Sequence, residues 1–310
     1  MTVTHDPTPE TAPVDGFVNT PTGRLHYIQW PGNGPDAHFL HGNGLCAGTY
    51  APFLKLLARD LALVASDVRG HGDSELNGKG PIRRWAPFAE DLKTVVESTL
   101  RPPVIGIGHS LGAVVTAIAA ARFPHLFHRI ILLDPVILPA RILWLSGMLR
   151  MLGLRRLQPL AMGARRRKRT FAGKDEALRR FLAGRGIFRS WSPPFIASYL
   201  ECAVLERDPK TATLKCDPET EPQIFESVPL DIWRTLRRIQ CPVHVLRGEH
   251  SDTFLPDAAA RIRRTLPGSR SVTVPDTGHF LPMEAPRRCA RLVREAVATG
   301  RPHHLRKHRS

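Results

Sequence analysis

A chain of 310 residues, 42% of them hydrophobic, has ample material for a large core, which excludes disorder over most of its length. Lysine and arginine exceed the acidic residues by 16, and the five cysteines, Cys46, Cys202, Cys216, Cys241 and Cys289, are scattered and never spaced C-x-x-C. That usage argues against a disulfide framework or a zinc site and for buried thiols in a cytoplasmic protein, while no apolar run reaches the roughly 18 residues a membrane-spanning helix needs.

Residues 1–15 contain Pro7, Pro9 and Pro13 and no basic segment followed by an apolar one, so they read as a flexible arm and not as a secretion signal. Short apolar runs follow: "GRLHYIQW" (23–30), "DAHFLHG" (36–42), "LALVASD" (61–67), "PVIGIGHS" (103–110), "RIILLDP" (129–135), "PVHVLRG" (242–248) and "SVTVPD" (271–276). The first two alternate and are expected to pair antiparallel, whereas most of the others are nearly continuous in Val, Ile and Leu, as strands buried on both faces should be. Helical patterns lie between the runs at 47–59, 86–99, 111–123, 256–265 and 285–298. This alternation predicts an α/β fold with a mostly parallel sheet flanked by helices.

The rhythm stops at residue 139 and resumes near 234. The text between is helical, basic and proline-containing with no convincing strand, which predicts a helical cap at 139–233 inserted into a core made of 16–138 and 234–300, with a basic tail at 301–310. Charge is concentrated in the cap: residues 141–189 hold 14 Lys or Arg against Asp175 and Glu176 alone.

In an open α/β sheet, ligands sit beyond the carboxyl ends of the strands, so the residues just past each run carry the chemistry. They are "HGNG" (41–44), "DVRGHGDS" (67–74), Ser110 within "GHSLG" (108–112), "GEHSD" (248–252) and "DTGHF" (276–280). A serine on a sharp strand-to-helix turn needs neighbours at plus and minus two without side chains, and the amide after it, that of Leu111, opens a helix where negative charge is favoured. A serine hydroxyl is a weak nucleophile without a base, and His279 is placed to serve; an acid must then orient the imidazole. Asp252 fits the chain order Ser, Asp, His, and Asp134, just past the run that follows the serine, is the alternative acid.

These five ordered motifs resemble the α/β-hydrolase superfamily over roughly residues 15–300, a serine-nucleophile, esterase- or lipase-like member with an inserted cap. The resemblance implies Ser110 as nucleophile, His279 as base, Asp252 as orienting acid, and an oxyanion hole made by the backbone N–H groups of Leu111 and Asn43. It implies no cofactor and no metal: His41, His71 and His109 lie in these same loop motifs, and for them the resemblance implies turn hydrogen bonding, not metal binding. Serine in place of aspartate implies acyl chemistry: hydrolysis of a carboxylic ester, whether lipid ester, lactone or thioester. A carbon–carbon bond hydrolase with the same residues and a non-hydrolytic ligand receptor are the alternatives. The expected partner is a small acyl substrate, apolar because "ILPARILWLSGMLRMLGLRRL" (137–157) suits a lid over an apolar pocket. "ARRRKR" (164–169) reads as a solvated face, with an anionic membrane surface or an anionic substrate as the candidate partner; no nucleic-acid module is present.

Overall fold

The apolar runs assemble into one eight-stranded sheet in the computed structural model, which describes residues 12–76 and 80–299. Its strands are β1 (Val14–Thr20), β2 (Gly23–Trp30), β3 (Asp36–Leu40), β4 (Ala62–Ser66), β5 (Val104–His109), β6 (Phe127–Leu133), β10 (Val243–Gly248) and β11 (Arg270–Val274). A second sheet, within the insertion, contains β7 (Thr170–Phe171), β8 (Val204–Asp208) and β9 (Thr211–Leu214). Spatial order in the main sheet is β1-β2-β4-β3-β5-β6-β10-β11. β2 is antiparallel to β1 and β4; all later pairings are parallel.

Two expectations about the start of the chain are corrected. β1 begins at Val14, inside the expected arm, of which residues 1–11 lie outside the described residues, as does the tail at 301–310. The first two runs do not pair with each other: β4 lies between β2 and β3, and β2 pairs antiparallel with β1 and β4. The alternation of β2 reflects its place near the sheet edge, with one face only partly covered, whereas β3 is buried along most of its length.

Twelve helices flank the sheet and form most of the insertion. They are α1 (Ala51–Leu57), α2 (Ala86–Thr99), α3 (Leu111–Arg122), α4 (Ala140–Met151), α5 (Pro159–Arg165), α6 (Gly173–Leu182), α7 (Pro193–Ala203), α8 (Thr220–Glu226), α9 (Ile232–Leu236), α10 (Pro256–Thr265), α11 (Leu281–Glu284) and α12 (Pro286–Ala298) among the described residues. α2 shows why such segments form. A proline near its first turn costs no hydrogen bond, and Phe88, Leu92, Val95 and Val96 recur at helical spacing on one buried face. Each such side chain contributes about 1.5–3 kcal/mol on burial. α3 is built from small and β-branched residues because it is covered on all sides; only Arg122 escapes burial. One apolar core gathers α1, α7 and α12 against the sheet, and a second gathers α2, α3, α9 and α10.

The elements between β6 and β10 form the cap, mostly helical but carrying the three-stranded antiparallel sheet β7-β9-β8, where no strand was expected. These strands are short, and Glu206, Arg207 and Asp208 are exposed, so no apolar run marks them. The turn that joins them, Asp208-Pro209-Lys210-Thr211, is stabilised by the Lys210 N–H donating to Asp208 Oδ1 at 2.8 Å. No described helix is long and apolar enough to cross a membrane.

Candidate active site

The turn from β5 into α3 places Ser110 at φ 55° and ψ −114°, a left-handed backbone conformation that costs a non-glycine residue about 1–3 kcal/mol and points its side chain off the sheet. The glycines beside it are sterically required. A β-carbon at Gly112 would stand 2.1 Å from the Leu40 carbonyl oxygen, and one at Gly108 would stand 2.5 Å from the Gly112 carbonyl carbon. The elbow therefore packs directly on the end of β3, bringing the following loop, His41 to Gly44, alongside the serine.

Ser110 Oγ lies 2.9 Å from His279 Nε2, and His279 Nδ1 lies 2.7 Å from Asp134 Oδ2. Asp134 has no exposed surface, and its Oδ1 accepts the Gly248 N–H at 2.9 Å while Oδ2 also accepts the Ser251 hydroxyl at 2.5 Å. These partners define the tautomer: Nδ1 carries the proton donated to Asp134, leaving Nε2 to accept from the serine. An imidazole so held is able to take a proton from Ser110 and to be stabilised as the imidazolium by the carboxylate.

The acid on His279 is therefore Asp134, and the assignment of Asp252 is corrected. Asp252 is exposed and accepts a hydrogen bond from Thr253 Oγ1 at 3.0 Å. The loop after β10 turns tightly, with the Ser251 N–H donating to the Gly248 carbonyl, and Ser251 Oγ then accepts the N–H groups of Thr253 and Phe254. Phe254 is fully buried and anchors the turn, which leaves residue 252 facing outward. Asp134, at φ 41°, breaks out of β6 at once, next to β10 in the parallel sheet. A sequence cue was present: Asp134 is the first residue past its strand, as Ser110 is past β5, and Pro135 follows it.

The two loops that carry Asn43 and Leu111 are in contact, a β-carbon on Gly42 falling 3.3 Å from Ser110 Cβ. The Asn43 side chain is held from both sides: Nδ2 donates to the Glu221 carbonyl in the cap at 3.0 Å, and Oδ1 accepts from His71 Nε2 at 3.1 Å. Glu221 in turn pairs with Arg167 and Arg169, and Arg167 also donates to the Tyr199 hydroxyl. Arg167 reaches the loop itself, since a β-carbon on Gly44 would lie 2.9 Å from its guanidinium. The sequence offered no cue to this clamp, because its members come from five separated segments.

The histidines of the loops serve hydrogen bonding. His41 bonds the Gly42 carbonyl through Nδ1 and accepts the Val68 N–H through Nε2. Burial pushes His71 down to about 3, and burial with the neighbouring His279 holds His109 well below the usual imidazole range. A neutral His109 donates from Nε2 to the His279 carbonyl at 2.9 Å and accepts at Nδ1 from Tyr50, 2.6 Å away, whose oxygen accepts the Gly42 N–H. One directional chain thus ties together the loop after β3, the elbow and the loop that carries His279. Asp67 organises the rest of "DVRGHGDS". Burial opposes its charge, but His26, His41 and the Ala47 N–H outweigh that and lower its pKa.

The Alpha/beta hydrolase family model matches residues 39–292. A serine hydrolase-like protein of Danio rerio is 32% identical over 115 residues, which is 37% of this chain and 35% of that protein. A 2-(acetamidomethylene)succinate hydrolase of Mesorhizobium japonicum is 30% identical over 107 residues, 34% of this chain and 38% of that one. The chain thus matches little more than a third of these two relatives' lengths. The crystal structure of E-2-(acetamidomethylene)succinate hydrolase superimposes with a TM-score of 0.76 at 22% identity, over 92% of this chain and 99% of that one. With a matching family model over most of its length and this fold, the chain belongs to the alpha/beta hydrolase family.

Proposed function

We propose that the protein is a serine hydrolase that cleaves carboxylic esters with an apolar acyl or alcohol part. The observation that carries this reading is the hydrogen-bonded line from Ser110 Oγ through His279 to the buried Asp134. In the reaction, Ser110 Oγ attacks the carbonyl carbon as His279 Nε2 takes its proton. The N–H groups of Leu111 and Asn43 bind the oxyanion, and the leaving alcohol receives the proton from His279. Water, deprotonated by His279, then attacks the acyl-enzyme and releases the acid. Support for an apolar substrate comes from an aromatic wall at the histidine: Phe280 lies 5.0 Å from the His279 ring and 5.5 Å from Trp191, which packs on Phe188 and Tyr199.

A fluorophosphonate probe tests the nucleophile. One adduct on Ser110, absent in Ser110→Ala, is the expected result, and no labelling of the folded protein would move the reading to a ligand receptor. Nitrophenyl esters of rising chain length then test the substrate class, with kcat/KM expected to rise with acyl length. Labelling without turnover of any ester would favour carbon–carbon or carbon–nitrogen bond cleavage.

A further inference from the structure

Only the five buried residues Pro135–Pro139 separate α4 from Asp134, and α4 carries a face that the fold does not cover. Leu143 and Ser146 point inward, but Trp144 is 68% exposed, Met151 83% and Leu152 65%, and the exposed apolar surface continues through Leu157. Scattered exposed leucines are ordinary; a contiguous apolar face of this kind marks an interaction site.

That face borders an open groove of about 670 Å³ between α4 and the start of α9, lined by Trp144, Met151, Leu230 and Trp233, with Asp231 as its one carboxylate. The groove runs into a basic patch formed by Arg237, Arg261 and Arg264. Arg261 stacks 4.3 Å over the Trp233 ring, and none of these three arginines forms an ion pair among the described residues. Residues 135–174 contain ten Lys or Arg and no Asp or Glu, but seven of them are ion-paired to carboxylates elsewhere in the fold, so the unpaired charge of this face lies with Arg237, Arg261 and Arg264.

We infer that this cap face docks on an anionic lipid bilayer, with Trp144, Met151 and Leu152 entering the acyl boundary and the arginines meeting lipid phosphates. The occupant is argued from complementarity. An exposed tryptophan and long flexible apolar side chains beside Arg237, Arg261 and Arg264, which form no ion pair among the described residues, match the interface of a bilayer, where apolar burial and attraction to anionic headgroups act together. The binding does not depend on the chemistry proposed for Ser110, so Ser110→Ala protein is expected to bind equally well.

Full-length protein is sedimented with phosphatidylcholine vesicles with and without phosphatidylglycerol, and tryptophan emission is recorded. The other four tryptophans, Trp30, Trp85, Trp191 and Trp233, are almost fully buried, so a blue shift on binding reports Trp144. The expected result is binding to phosphatidylglycerol vesicles with a blue shift and little binding to phosphatidylcholine alone. Trp144→Ser with Met151→Ser is expected to lower partitioning about tenfold or more, and each of Arg237→Gln, Arg261→Gln and Arg264→Gln about fivefold. The variants' fold is checked by fluorophosphonate labelling, which uses none of these residues. Four results would each overturn the inference: no vesicle binding, equal binding to both vesicle types, and capture by an acidic protein but not by lipid are three. The fourth is binding unchanged in the Trp144→Ser, Met151→Ser variant, which would assign lipid attraction to general charge, including the basic residues 301–310.

Discussion

Three donors converge on the Asp134 carboxylate, and its burial leaves no water to replace them. Asp134→Asn keeps the volume but reverses the polarity of one partner atom, so the imidazole loses its tautomer. A fall in kcat of about 10⁴-fold with little change in KM is expected. Asp252→Asn, on an exposed side chain bonded to its neighbour, should change kcat/KM less than about twofold. Steady-state kinetics on one nitrophenyl ester separates the two, and equal losses would return the orienting role to Asp252. Tyr50 acts at one remove. Tyr50→Phe strands the Gly42 N–H and the neutral His109 Nδ1 in a fully buried site, which should cost about 1–3 kcal/mol in urea denaturation.

Between elements, the elbow and the cap clamp set the tolerances. Gly112→Ala would drive a methyl into the Leu40 carbonyl, and because that oxygen belongs to the sheet backbone it has nowhere to move. A loss of about 1–3 kcal/mol is expected, together with slower fluorophosphonate labelling as the elbow shifts. Among the described residues, the clamp on Asn43 is where the cap reaches the proposed oxyanion site through a hydrogen bond. Asn43→Ala leaves the backbone N–H in place but frees its loop from His71 and Glu221, so kcat is expected to fall about tenfold while KM holds. A rise in KM with unchanged kcat would instead make the clamp a substrate-binding feature.

Over the whole molecule, buried histidines set the response to pH. Burial pushes His38 and His71 down to about 3, so both are neutral when folded near pH 6, whereas the unfolded chain protonates them below about 6.5; burial lowers His41 and His109 in the same direction. Their contribution is present above that pH and lost as pH falls, with a limiting slope of about 3 kcal/mol per unit from His38 and His71. His26 runs the other way. Burial opposes its charge, but Asp67 and then Asp15 outweigh it and raise it to about 9. Its contribution is complete below about 6.5 and lost as pH rises through 9. Urea midpoints measured against pH should therefore fall on both sides of neutrality, and His26→Gln should flatten the alkaline limb alone.

What could be read along the chain was local. Runs of β-branched residues, helical spacing and the glycines at 108 and 112 each depend on neighbours a few positions away, and they determined the mostly parallel sheet and the placing of Ser110 and His279 at one edge, but not the spatial order of the strands. The chain alone also located the insertion and its charge, but not the strands within it, which lack an apolar run. The acid was different in kind. Asp134 and Asp252 both follow strands that end at the same edge, and the choice depended on how tightly each loop turns, with partners 145 positions apart in the chain. The Asn43 clamp and the uncovered face of α4 were likewise decided by tertiary structure, because a hydrogen bond between distant segments, or its absence, exists only once packing has chosen which surfaces meet.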